Sequence, residues 1–149
     1  MLRSYLIEEH SVAELEDAFI AQTNWDLRKG RPTVVPCAEA LENKIYSDKF
    51  HKGFTGTAGG FYGPQGRVVR LNIQDPQLNS KMDAFNYNGT RMTNLEMETS
   101  AIYGLGKLLG HNCLSLNAII ANRAVGEFSS NSEKVVNELI AYTLDKLVG

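Results

Sequence analysis

Two glutamates flank one methionine, Glu96-Met97-Glu98, at the head of an apolar run that ends at Gly110. No other stretch constrains the fold as much. Ala101, Ile102, Leu105, Leu108 and Leu109 lie at helical spacing and define a buried face. Gly110 suits the left-handed residue that stops a helix. Thr93 with Glu96 three residues on matches a capping box, which predicts a helix from about residue 93. The helix dipole favours acids in a first turn. It does not account for both glutamates, because residues two apart on a helix point to different sides. Glu98 leads into Thr99, Ser100, Ala101 and Ile102, a segment that reads as packing inward. A carboxylate there needs partners, since burying one unpaired is strongly unfavourable. The hydroxyl groups of a ligand are suitable.

The rest of the chain alternates helix and strand signals. Residues 1–10 read as an extended lead-in. Ser11 and Glu14 match a second capping box, and Val12, Leu15, Ala18 and Phe19 mark a helix to about Gln22, with Trp25 anchoring its end. Residues 26–32 form a charged turn, 33–37 a short β-branched strand and 38–50 a helix with Leu41, Ile45 and Tyr46 on one face. Residues 53–58 predict a central strand. Residues 59–67 hold four glycines and one proline, so they form a loop. It is either a structural turn or a place where backbone approaches a flat ligand.

Residues 68–73 read as extended. Asp75-Pro76 starts a short helix with Leu78, Met82 and Phe85 turned inward. Asn88-Gly89 is a tight-hairpin signal. Residues 113–121 are apolar and read as a buried strand, followed by a loop at 124–130. Residues 131–148 read as a last amphipathic helix, with Val135, Val136, Leu139, Ile140, Leu144 and Leu147 packed. The pattern predicts an α/β domain with a mixed, mostly parallel central sheet flanked by helices. In such sheets ligands sit at the carboxyl ends of strands.

With 149 residues, 43% of them hydrophobic and 21% charged, the chain can bury a core and is not disordered. A net charge of −2 without a basic block argues against a nucleic-acid partner. No apolar run is long enough to span a membrane, and the N-terminus lacks a secretory signal. Cys37 and Cys113 stand in no metal spacing and read as reduced, buried thiols of a cytoplasmic protein. His10, His51 and His111 are scattered, so no metal site is expected.

The run Asn94-Leu95-Glu96-Met97-Glu98-Thr99-Ser100-Ala101 resembles the ribose-binding segment of the nucleoside phosphorylase family. Gly60-Phe61-Tyr62-Gly63-Pro64-Gln65-Gly66-Arg67 resembles the uracil-binding loop of its uridine phosphorylases. Ile119-Ile120-Ala121-Asn122-Arg123 resembles the strand end that closes the base pocket. The three motifs stand in the family's order, and the likeness covers the C-terminal half of a typical member. It implies a pentosyltransferase of pyrimidine nucleoside salvage and catabolism. Such an enzyme transfers ribose from uracil to inorganic phosphate, the co-substrate, giving ribose 1-phosphate; no other cofactor is implied. By resemblance Phe61, Gln65, Arg67, Ile120, Ala121 and Arg123 bind the base, and Met97, Glu98 and Glu96 bind ribose. The catalytic contributions fall to Glu98, Arg67 and Gln65. Glu96 also reads as a structural cap, and Arg123 as a loop-tying arginine.

Purine-type relatives carry an acid or amide at the strand end matched here by Ile120 and Ala121, so a pyrimidine is expected, although Asn122 follows directly. Leu95 stands where many relatives have an aromatic, which leaves base stacking to Phe61. The family's phosphate loop and arginines belong to its N-terminal half. Arg3, Arg28, Arg31, Arg70 and Arg91 lie in no matching motif. The chain is therefore expected to be a truncated phosphorylase that forms homo-oligomers. The alternatives are a non-catalytic nucleoside- or base-binding half-domain and a nucleosidase that uses water.

Overall fold

The computed structural model describes residues 5, 7–122 and 125–149. After a 3-10 turn at Ile7–His10 come helices α1 (Ala13–Thr23) and α2 (Glu39–Ile45) and strand β1 (Phe54–Thr57). A 3-10 turn at Gly63–Gln65 follows, then α3 (Leu78–Ala84), β2 (Asn86–Tyr87), β3 (Thr90–Glu96) and α4 (Thr99–Leu108). The chain closes with β4 (Ala121–Asn122), β5 (Glu127–Phe128) and α5 (Ser132–Val148). The result is an α/β fold with a mixed sheet in the order β1-β3-β2, and a separate β4-β5 ribbon.

The hairpin predicted at Asn88-Gly89 launches β3. Both residues have positive φ, 52° and 84°, as a tight hairpin requires. β3 pairs antiparallel with β2 and parallel with β1, where Thr57 faces Glu96 in register. β3 is thus the central strand, and β1, expected to be central, is an edge. This pairing also corrects the helix expected from residue 93. With β1 alongside, residues 93–96 stay extended, and the Thr93 hydroxyl donates to the Phe54 carbonyl at 3.4 Å instead of capping. The helix begins at Thr99 and runs out at Gly110, whose φ of 75° is the stop expected.

Phe19 meets Phe85 edge-on at 5.1 Å, Leu15 completes this core, and Trp25, Phe54, Met82 and Met92 pack against it. Trp25 also donates to the Gly30 carbonyl, anchoring the exit of α1. The capping box at Ser11 is not formed: Val12 is the cap residue and the Ser11 hydroxyl donates to the Glu8 carbonyl. Asp75 does cap, accepting from Gln77 N–H at 3.0 Å, but α3 starts only at Leu78.

Residues 33–37 and 113–120 are not strands. The backbone groups of Val34 turn to α1, accepting from Val12 N–H and donating to the Glu16 carboxylate. Ser115 N–H donates to the Tyr103 hydroxyl at 2.7 Å. Donors and acceptors spent on helices and side chains are not available to a ladder. Residues 68–73 are likewise irregular, and α2 stops at Ile45 instead of reaching Phe50. Part of the loop expected at 124–130 forms β5. None of the described α5 side chains is buried, so its expected packed face is largely open: Ile140 is 52% and Leu144 56% exposed. Cys37 and Cys113 are free but only half-buried. Among the described residues no helix is long and apolar enough to cross a membrane.

Candidate functional site

β1 and β3 are parallel neighbours, so the segments that leave their carboxyl ends start from one edge of the sheet. Ala58 N–H carries the ladder one step beyond β1, donating to the Glu96 carbonyl at 2.8 Å. From β1 the chain enters the glycine-rich loop; from β3 it enters the Met97-Glu98 turn.

In the loop, Pro64 starts the turn Gly63–Gln65, and Gly66 closes it in the left-handed region, φ 73°. Only a residue without a side chain fits at Gly66, where a Cβ would fall against Asn79 of α3. The turn brings together three expected base-binding residues. Arg67 donates from Nη2 to Gln65 Oε1 at 3.3 Å, and its guanidinium lies 3.3 Å from the centroid of the Phe61 ring. That contact is a cation–π stack. The guanidinium must leave this face of Phe61 before a base can stack there. Gln65 is buried, 3% exposed, so the loop leans on the interior more than its glycine content suggests.

At the end of β3 the two glutamates differ sharply. Glu96 is half-buried; its Oε1 accepts from the Thr57 hydroxyl, and its Oε2 accepts from the N–H groups of Glu98 (2.7 Å) and Thr99 (2.6 Å). Burial pushes the Glu96 carboxyl up, but these donors outweigh it and hold it below the usual value. Glu96 is therefore a cap for α4, reaching forward from the strand end. Glu98, expected to be the inward-turned acid, is exposed, and its Oε2 accepts from Met97 N–H at 3.2 Å. An exposed carboxylate with lone pairs toward solvent can accept from sugar hydroxyls. Met97 is 42% exposed beside it and offers an apolar surface.

A groove of about 2430 Å³ runs past this edge, with Thr57, Ala58, Tyr62, Arg67, Asn94 and Met97 in its wall. Small-molecule pockets measure roughly 300–1,000 Å³, so the groove is not shaped to one nucleoside. Phe61, Gln65, Glu96 and Glu98 are outside its wall, as are Ile120 and Ala121, although Ile119 lines it. Ile120 is 49% exposed, and Ala121 opens the β4-β5 ribbon instead of ending a buried strand. Arg123 lies outside the described residues. The composition of the two sheet-edge segments was legible in the sequence. Thr57 was not singled out; its position at the last residue of a strand feeding the loop was the available signal. No group of metal-binding side chains occurs among the described residues.

The two segments set on one edge of a mixed sheet, with helices around it, define a nucleoside phosphorylase-like fold. The chain superposes on the crystal structure of a Trypanosoma brucei nucleoside phosphorylase that shows uridine phosphorylase activity, with a TM-score of 0.76 and 25% identity. The match covers 91% of this chain and 49% of that one, so the chain spans about half the length of that structure. No protein-family model and no curated protein matches the sequence.

Proposed function

We infer that residues 1–149 form the base- and ribose-recognition half of a uridine phosphorylase-type pentosyltransferase. One observation carries the reading: the Phe61–Gln65–Arg67 cluster and the Met97-Glu98 turn follow the carboxyl ends of adjacent parallel strands. That is where a ligand of an α/β sheet binds. The likeness to a nucleoside phosphorylase supports the same reading.

In the proposed reaction a phosphate oxygen attacks C1′ of the ribose and the C1′–N1 bond breaks. Ribose 1-phosphate forms, and uracil leaves with the bonding electron pair. Positive charge grows on the sugar and negative charge on the base, and the protein must stabilise both. The Gln65 amide can accept from uracil N3–H and donate to a carbonyl. Arg67, drawn off Phe61, donates to the carbonyl oxygen that becomes anionic. Glu98 accepts from the ribose hydroxyls, and Met97 covers the sugar's apolar side. Ile120, Ala121 and Arg123 complete the base pocket by resemblance. Phosphate, uridine, uracil and ribose 1-phosphate are the small-molecule partners, and the cytoplasm is the compartment this chemistry and the free thiols fit.

Because the matched structure is about twice as long, a non-catalytic nucleoside-binding module is the second reading. Uracil release from uridine, with and without phosphate and with inosine as the purine control, tests both, alongside calorimetric binding of uridine. Phosphate-dependent release from uridine alone is the expected result. Binding without release selects the module, and release without phosphate selects a nucleosidase. Equal use of inosine overturns the pyrimidine assignment.

A further inference from the structure

We propose that Thr57 is a positioning residue of the nucleoside site, tying the ribose-binding turn to the strand that feeds the base loop. The inference rests on the functional reading above. Thr57 is the last residue of β1 and the register partner of Glu96. Its hydroxyl is used twice: it donates to Glu96 Oε1 and accepts from Ser100 N–H at 2.9 Å. Glu96 Oε2 holds the amides of Glu98 and Thr99. One hydroxyl and one carboxylate therefore fix three successive amides, those of residues 98, 99 and 100, against the end of β1.

Glu98 stands inside this clamp. Its backbone is held through Glu96, while its side chain is exposed. The next residue after Thr57 begins the segment that leads to Gln65 and Arg67. The clamp thus sets the separation between the acceptor for sugar hydroxyls and the donors for the base, on which selection of a whole nucleoside depends. With Thr57 and the two amides on its oxygens, Glu96 is better placed to hold the turn than to bind ribose itself. Its charge matters here, because a carboxylate accepts strongly from several donors at once. Neither Thr57 nor Glu96 needs to touch the ligand.

The test uses two substitutions in the whole chain. Thr57→Val keeps the β-branched shape and removes the hydroxyl; Thr57→Ser keeps the hydroxyl. Uridine and uracil dissociation constants are measured for each, together with amide hydrogen exchange at residues 98–100. Thr57→Val should weaken uridine about tenfold, the usual worth of a hydrogen bond to a charged group. Uracil, which makes no use of Glu98, should change less than about twofold on the same scale. Exchange at residues 98–100 should quicken, and Thr57→Ser should restore both readouts.

Equal weakening of uridine and uracil would mean that Thr57 serves only stability, and overturns the proposal. So would unchanged uridine binding, or unchanged amide exchange. If the unsubstituted chain binds neither ligand, the functional reading fails and the positioning role fails with it. In that case the exchange data still report whether the clamp holds the turn.

Discussion

At the scale of single residues, the two glutamates around Met97 have opposite duties. Glu96 spends both oxygens inside the protein and Glu98 faces outward. Glu98→Gln should therefore leave the melting temperature unchanged and lower the specificity constant for uridine in the intact enzyme by roughly tenfold to a hundredfold. That range corresponds to about 1.5–3 kcal/mol for a charged acceptor. Steady-state kinetics beside a thermal melt check it, and normal kinetics would remove Glu98 from the site. Glu96 predicts a pH effect. Its folded-state pKa lies below its ordinary 4.5, so its contribution to stability is complete above that value. It is lost as the pH falls through the lower folded value. Acid denaturation curves of the chain and of Glu96→Gln should thus converge at low pH and separate near neutrality. The sequence made both acids visible as a pair. It could not assign their roles, because the spacing was read on a helix whereas Glu96 ends a strand, and its partner Thr57 lies 39 positions away.

Elements were most legible where the chain specifies them locally. The Asn88-Gly89 turn, the inward residues of α3 and the Gly110 stop depend on neighbours a few positions apart, and all three formed. Residues 33–37 and 113–121 read as strands from β-branched and apolar content, but a strand exists only with a partner. Val34 found its partners in α1 and Ser115 in Tyr103, contacts that no local pattern encodes. The core that α1, α3 and the sheet share is small, and Phe85, 2% exposed, is at its centre against Phe19 and Phe54. Phe85→Ala should cost about 3–5 kcal/mol in denaturant titration. A loss under about 1 kcal/mol would show that this cluster is not what holds the elements together.

The molecule as a whole has too much surface for its length. It exposes 10321 Å², whereas a folded monomer of this size exposes about 7,500 Å². The difference is of the order that each partner contributes to a large obligate interface. Val136, Ile140, Leu144 and Leu147 run along the open face of α5 and supply the apolar part of it. A second copy of the chain is the expected cover, and with a net charge of −2 two copies repel only weakly. Sedimentation across concentrations should show species heavier than the monomer, reduced by Ile140→Glu. A clean monomer at every concentration would refute this.

The parallel pairing of β1 with β3 also dictates an order of events in folding. The β2-β3 hairpin joins residues a few positions apart, Asn86 with Arg91, and such hairpins close within about 1–10 μs. β1 must then find β3 across the intervening chain, as in the Thr55–Asn94 contact at a separation of 39. Loop-closure entropy opposes that step before any contact rewards it. Nascent chains should therefore pass through a stage in which β3 is already formed and its β1-facing edge is still open. The nucleoside edge is then among the last parts of the sheet to be assembled, and a ligand that bridges its two segments would speed neither strand's formation but would slow their separation.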